Sequence, residues 1–382
     1  ANTQPLEVGA FVYDLEQGTC GTGTDASWYL CSTGTVGANA TVTENVPNIV
    51  LANFGSFDPL SQRMGDRRSG TGGGNTAKVD DPLSGAMAYA APQVANQAVS
   101  QAFSALNPQH SYGTWMRVWG GYLNLRPGTN PSGSSVKATN WGAQVGFDMP
   151  IGNGDHGDFV LGVNARYGSV TAKTRNAAGT GTITSDGFGI GATFTWYADN
   201  GFYVDTQAMV NFVATDASSS TAGRLYTNKN STVWGVSAEV GKRHALGNAF
   251  TLVPQAQIWV GYMGGSSFTD APGNAITIGN AVAVKGRVGA VLEREFSLDS
   301  GRVGNVFGVF NVIHDFSNDR AVTVAGTRLN QSGEGTWAEV GLGANLPVGT
   351  NGTLFARGNF RQAVAVAKGN GFDISLGARI NW

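Results

Sequence analysis

Asn370-Gly371-Phe372-Asp373-Ile374-Ser375-Leu376-Gly377-Ala378-Arg379-Ile380-Asn381-Trp382 alternates apolar and polar side chains up to its last residue. Successive side chains of a strand point to opposite sides. Ile374, Leu376, Ala378, Ile380 and Trp382 therefore share one face, and Asp373, Ser375, Gly377, Arg379 and Asn381 share the other. A strand with one face in lipid, one in water and an aromatic at the interface has this pattern. The stretch predicts a strand of an outer-membrane barrel.

The rest of the composition agrees. Of 382 residues 56 are Gly, and only 13% are charged, about half the ordinary fraction. No run of 18 apolar residues exists, which excludes a membrane helix. A net charge of −2 gives no footprint for nucleic acid.

Twelve segments from Tyr112 onward repeat the alternation: Tyr112–Leu125, Lys137–Pro150, Asp158–Thr171, Thr184–Tyr197, Phe202–Asp216, Ser231–Ala245, Phe250–Gly265, Ala281–Leu298, Arg302–Ser317, Ser332–Val348, Gly352–Val366 and Asn370–Trp382. An even count is what a closed bacterial barrel requires. In the second segment Trp141, Ala143, Val145, Phe147 and Met149 oppose Asn140, Gly142, Gln144, Gly146 and Asp148. A buried sandwich core also alternates. Here, however, the polar face carries ionisable groups: Arg117, Arg166, Glu239, Arg287, Glu339 and Arg357 are expected to face a wet lumen. The ninth segment is ambiguous, since Phe307 and Val309 oppose Phe310 and Val312.

Connector lengths separate barrel from sandwich. Long connectors (Arg126–Val136, Ala172–Ile183, Ala217–Asn230, Ser266–Asn280, Asn318–Gln331) alternate with short ones such as Asp299-Ser300-Gly301. Long outer loops and short periplasmic turns are the membrane-barrel signature, and the register puts both barrel termini in the periplasm. Twelve strands tilted about 40° enclose roughly 24 Å between backbones, which leaves room for about one helix. The favoured occupant is Asp81–Leu106, an Ala-rich stretch carrying Asn96, Gln97, Ser100, Gln101 and Ser104; Pro47–Arg68 is the alternative. Between them Ser69–Asn75 reads as a flexible Gly-rich linker.

The N-terminal part reads as two strands, Leu6–Leu15 and Ala26–Cys31, that continue a larger β structure. Cys20 and Cys31 lie close enough to close a small loop and are expected to form a disulfide in an oxidising compartment. Ala1-Asn2-Thr3-Gln4 is polar and lacks an initiator Met, so the chain is expected to be the C-terminal part of a longer precursor.

Several motifs, in order, resemble the C-terminal half of a type V autotransporter with a pertactin-like passenger. They are Val8-Gly9-Ala10-Phe11-Val12-Tyr13, Ser27-Trp28-Tyr29-Leu30, Leu51-Ala52-Asn53, Leu60-Ser61-Gln62-Arg63-Met64-Gly65-Asp66-Arg67-Arg68, Trp115-Met116-Arg117-Val118 and the terminal aromatic. About forty residues separate the Arg-Met-Gly-Asp segment from the first barrel strand, more than the family usually has. The resemblance implies an all-β fold: a 12-stranded antiparallel transmembrane barrel with a lumen helix and the remnant of a passenger β-solenoid. The implied division is 1–46 passenger end, 47–111 linker with pore helix, and 112–382 translocator barrel. The implied function is export and surface anchoring of the protein's own passenger. The implied partners are the barrel-assembly machinery, periplasmic chaperones and outer-membrane lipid, with the barrel a monomer. Ile374, Leu376, Ala378, Ile380 and Trp382 resemble the family's assembly signal. The implied location is the outer membrane of a Gram-negative bacterium, with the N-terminal part at the surface.

No enzymatic motif stands out, and no cofactor or metal is expected. His110, His156, His244 and His314 are far apart, and no Gly-x-Ser-x-Gly elbow occurs. Gly152-Asn153-Gly154-Asp155-His156-Gly157 fits a dinucleotide fingerprint formally but joins two barrel strands, so it lacks the strand-to-helix context that motif needs. With no Asn-Asn pair in the chain, passenger cleavage at paired Asn residues is not expected. The main competing reading is a diffusion porin with an N-terminal plug. A surface hydrolase and a soluble solenoid adhesin rank lower.

Overall fold

The computed structural model describes residues 6–20, 26–64, 112–128, 130–154, 157–298, 302–317 and 320–382. A three-stranded antiparallel sheet comes first: β1 (Leu6–Val8), β2 (Phe11–Gln17) and β3 (Trp28–Val36). Cys20 and Cys31 are joined as a disulfide between β2 and β3. Helices α1 (Ala38–Phe54) and α2 (Leu60–Met64) follow.

The barrel strands begin with β4 (Gly113–Arg126), β5 (Ser135–Gly154), β6 (Gly157–Asn176), β7 (Gly179–Tyr197) and β8 (Phe202–Ser219). Next is β9 (Gly223–Lys242), which β10 (His244–Gly247) continues past Arg243, and then β11 (Phe250–Met263). After a short outer hairpin, β12 (Ser266–Thr269) and β13 (Ala275–Ile278), come β14 (Ala281–Ser297) and β15 (Val303–Asp315). A second outer hairpin, β16 (Arg320–Val324) and β17 (Thr327–Gln331), precedes β18 (Thr336–Val348), β19 (Gly352–Ala365) and β20 (Lys368–Asn381). With β9 and β10 taken as one, twelve strands pair antiparallel in sequence order. β20 pairs with β4, from Lys368 opposite Arg126 to Asn381 opposite Gly113, and closes the ring.

The terminal strand faces as its alternation predicts. Ile380 and Trp382 are 59% and 63% exposed on the outside, while Ser375 and Arg379 are 1% exposed inside. Ile374 and Leu376 are also exposed outward, and Ala378 shares their face. At the periplasmic rim Tyr112 stacks on Trp382 and Phe147 meets it at a tilt, with ring centroids 5.5 and 5.9 Å away. Near the outer rim, Tyr122 meets Phe372 and Trp141 meets Tyr167. These are the two aromatic girdles of a membrane barrel.

The ninth strand's ambiguity resolves with Phe307 and Val309 inward and Val306 and Phe310 outward. A large inward aromatic is accommodated because its cross-strand neighbour is Gly343, where an added Cβ would lie 2.2 Å from the Phe307 ring. Trp115 lies over Gly146 in the same way.

Three expectations change. The connectors at residues 266–280 and 318–331 are not plain loops: β12, β13, β16 and β17 form a separate four-stranded sheet outside the barrel. Its buried Ile276, Ile278, Val322 and Val324 join the core that surrounds α1. The N-terminal sheet has three strands, because Gly9, at φ +61°, turns the chain between β1 and β2. The boundary expected between residues 46 and 47 falls inside α1. Thr41, Val42, Thr43, Val46, Ile49 and Val50 are poor intrinsic helix formers. Burial on every side makes them helical, as for a helix enclosed by protein.

Candidate functional site

The barrel lumen holds α1 and α2. The helix enters at the outer rim, where the Asn39 N–H donates to Glu7 Oε1 at 2.6 Å and the Asn39 side chain bonds Ser219. Gly37 supplies no side-chain cap, so Glu7, arriving from β1, provides the carboxylate that a helix N-terminus favours. About two turns further in, Asn45 donates to Ser134 Oγ at 3.0 Å, and Arg320 donates to Asn48 Oδ1 at 2.5 Å. Gln331 bonds both Asn45 and Asn48.

Wall residues terminate the helix. Arg166 Nη2 and Asn211 Nδ2 both donate to the Phe54 carbonyl, at 2.5 and 2.9 Å. A guanidinium at this end satisfies an orphan carbonyl and opposes the negative pole of the helix. The Phe54 ring occupies the space a side chain at Gly187 would take, since an added Cβ there would lie 2.5 Å from the ring.

Below the helix, toward the periplasm, ion pairs hold the chain. Asp58 pairs with Arg117 at 2.5 Å, and Arg63 with Asp205 at 2.7 Å. Glu239 accepts from the Leu60 N–H at 3.3 Å, from Tyr203 at 2.7 Å and from Arg287 at 2.8 Å. Arg357 and Glu339 pair with each other at 3.4 Å. All six charges expected inside are thus in the lumen. Arg117, Arg166 and Glu239 bond the inserted segment directly, and Arg287 acts through Glu239.

Sequence reasoning missed Asp205, Asn211, Asn48 and Gln331. Asp205 and Asn211 carried a usable signal, since both stand at inward-facing positions of their strand. The favoured pore-helix residues, Asn96, Gln97, Ser100, Gln101 and Ser104, lie outside the described residues. Within those residues the lumen occupant is 38–64, which overlaps the alternative Pro47–Arg68.

Glu44 stands apart. It sits on α1 at the height of the outer hairpins, 1% exposed, and neither carboxylate oxygen has a hydrogen-bond partner of good geometry. Burial raises its pKa from 4.5 to about 7, and the nearby Ser132 and Gln331 offset this only in part. Between those values the folded state binds more protons than the unfolded chain, so stability falls as pH rises through the window. The loss amounts to about 3 kcal/mol at most. Thermal unfolding is expected at a lower temperature at pH 8 than at pH 5, with Glu44→Gln removing the difference. An unchanged slope in the variant would rule Glu44 out as its source.

Beside the helix remains a cavity of about 190 Å³, lined among others by Trp119, Tyr122, Asn140, Trp337, Arg361 and Asp373. Its polar lining makes it a wet cavity.

A closed twelve-stranded barrel with two aromatic girdles, an apolar outer wall and a helix seated in a polar lumen defines a plugged outer-membrane barrel. The autotransporter beta-domain family model matches residues 114–359, and the chain belongs to that family. The adhesin BmaC autotransporter of Brucella suis biovar 1 (strain 1330) is 26% identical over 394 residues, covering 99% of this chain and 11% of that protein. The pertactin autotransporter of Bordetella parapertussis is 27% identical over 246 residues, covering 62% of this chain and 26% of that protein. The chain therefore spans only a minor part of the length of these relatives.

Among solved structures, the transport unit of AIDA-I from Escherichia coli matches with TM-score 0.57 and 17% identity, over 75% of this chain and 98% of that one. The beta domain of the Bordetella autotransporter BrkA gives 0.56 and 18%, over 71% and 100%. The translocator domain of NalP from Neisseria meningitidis gives 0.51 and 14%, over 78% and 97%. These likenesses carry the fold. The chain contains an outer-membrane autotransporter translocator barrel.

Proposed function

We propose that this barrel exports the passenger that precedes α1 and then anchors it at the cell surface, with α1 as the seal left in the pore. The observation that carries this reading is the direction of the inserted segment. Asn39 bonds the outer rim and Arg63 bonds Asp205, so β1–β3 emerge outside while both barrel termini stay in the periplasm. Glu7 binds the helix start, which ties the passenger's base to the plug. The names adhesin and pertactin among the relatives support a passenger with a surface role, and we read the barrel itself as non-catalytic. The outward face ending in Trp382 supports a role for the last strand in insertion by the assembly machinery, because an unclosed strand offers free backbone donors and acceptors.

Protease shaving of intact cells tests the reading, with a signal peptide and epitope tag fused ahead of Ala1. External protease is expected to remove the tag while the barrel survives, and deletion of Trp382 to lower the amount of inserted barrel. A tag protected until the outer membrane is breached would reverse the orientation and favour a plugged porin.

A further inference from the structure

The outer girdle points to a site just above it. On three neighbouring strands, the outward residue four positions beyond the girdle aromatic is a cation: Lys368 beyond Phe372, Arg126 beyond Tyr122 and Lys137 beyond Trp141. On the next strand Lys173 stands six positions beyond Tyr167. All four are exposed and share the strand face of the exposed Phe372, Met116, Trp141 and Tyr167.

Their register is unusual. Lys368 is directly opposite Arg126, and Lys137 directly opposite Lys173. Lys137 is opposite Asn124, which makes Arg126, two residues on, its diagonal neighbour. Directly opposed like charges destabilise a sheet. Among the described residues none of the four makes an ion pair. The acids on the next strands are lower on the wall and already engaged: Asp186 accepts from Tyr167 at 3.1 Å and Asp216 from the Asn228 N–H at 2.7 Å. Beside Lys368 on β19 and its turn, the exposed residues are Val364 and Val366, and near the outer ends of β14 and β15 they include Val282 and Phe316; none of these four carries charge.

We infer that Lys368, Arg126, Lys137 and Lys173 bind the phosphates of an anionic glycolipid headgroup in the outer leaflet. Four residues amount to about 13 Å along a strand and roughly 10 Å along the membrane normal. A headgroup layer of only about 5–7 Å lies between hydrocarbon and water in an ordinary bilayer. The cations therefore stand at or just above the level of simple lipid phosphates, where a phosphorylated sugar headgroup extends. Long side chains can also reach down to the interface. Bridging phosphates supply the negative charge that the opposed pairs lack, and Arg126 can hold one bidentately. The β19–β20 connection is only two residues long and turns back directly beside Lys368, so the wall on this side of the sector is low and leaves the headgroup access.

The test uses the purified full chain in a non-ionic detergent, with bisphosphorylated lipid A as probe and native mass spectrometry as readout. Replacing all four cations by Gln is expected to weaken lipid A retention at least tenfold. The two double variants, R126Q/K368Q and K137Q/K173Q, are each expected to give a partial loss. Without lipid, the variants are expected to unfold at the same temperature as the parent or above it, since repulsion is relieved; this separates lost binding from lost folding. Dephosphorylated lipid A is expected to be retained no better by the parent than by the quadruple variant. Equal retention of lipid A by parent and quadruple variant would overturn the inference. So would full displacement by inorganic pyrophosphate, which would mark a free-phosphate site instead.

Discussion

Deleting residues 38–64 is expected to raise the single-channel conductance of the purified barrel roughly tenfold, because a lumen sized for about one helix loses its helix. Deleting residues 81–106 is expected to leave conductance within about twofold, because it removes none of the lumen contacts described for α1 and α2. A cavity of about 190 Å³ lies beside the helix, and the charged wall residues around it bond the inserted segment and one another. An ion crossing the intact lumen would have to pass between these bonded groups. Planar-bilayer recordings of the two deletions distinguish the candidate occupants: residues 38–64, seen in the lumen, and residues 81–106, which lie outside the described residues. Opening by the second deletion but not the first would remove α1 from the role of seal. A steady large current from the intact chain would point to a porin.

That composition favours 81–106 over the segment seen in the lumen has a physical origin. Asp81–Leu106 reads as a helix because it is rich in Ala, the best intrinsic helix former. Residues 38–54 are rich in Thr and Val, and Pro47 removes a backbone donor within the helix. Their helix exists because its surroundings satisfy it: Glu7 of β1 at the start, Arg166 and Asn211 of the wall at the end, and Ser134, Arg320 and Gln331 against Asn45 and Asn48 between. None of those partners is adjacent in sequence, so no local pattern reports them.

The barrel was legible for the opposite reason. Lipid outside and polar groups inside enforce a period of two on every strand, and each strand can be read alone. Even the exceptions obey geometry: Phe307 can point inward only because Gly343 stands opposite. The outer sheet was illegible because its strands are only four or five residues long, and its two hairpins are joined by Ala275–Ile278 pairing with Arg320–Val324, not by a long alternating run. Of the lumen charges, strand parity gave the direction. Which ones touch the plug depended on where Asp58 and Leu60 arrive.

Glu239→Leu is expected to cost about 3–5 kcal/mol of stability, as removal of one partner from a buried pair does. Glu239 is fully buried and Arg287 nearly so. The substitution leaves the Arg287 guanidinium in the lumen without its carboxylate, and two of its nitrogens already lack partners. It also strips the acceptor from the Tyr203 hydroxyl and the Leu60 N–H. Each unsatisfied neutral donor adds about 1–3 kcal/mol to the cost, less whatever water restores. Removing both charges, Glu239→Leu with Arg287→Leu, is expected to recover much of the loss, because the uncompensated cation goes with its partner. The measurement is the heat-modified electrophoretic mobility of the folded barrel, followed against temperature for parent, single and double variants. A conductance record of the single variant adds a second readout. If Glu239 links α2 to the wall, its loss frees the lower end of the plug and raises channel noise, whereas a purely structural loss lowers the melting temperature and leaves the current unchanged. A single variant as stable as the parent would mean that water already solvates this cluster, and the lumen would be wetter than its packing indicates.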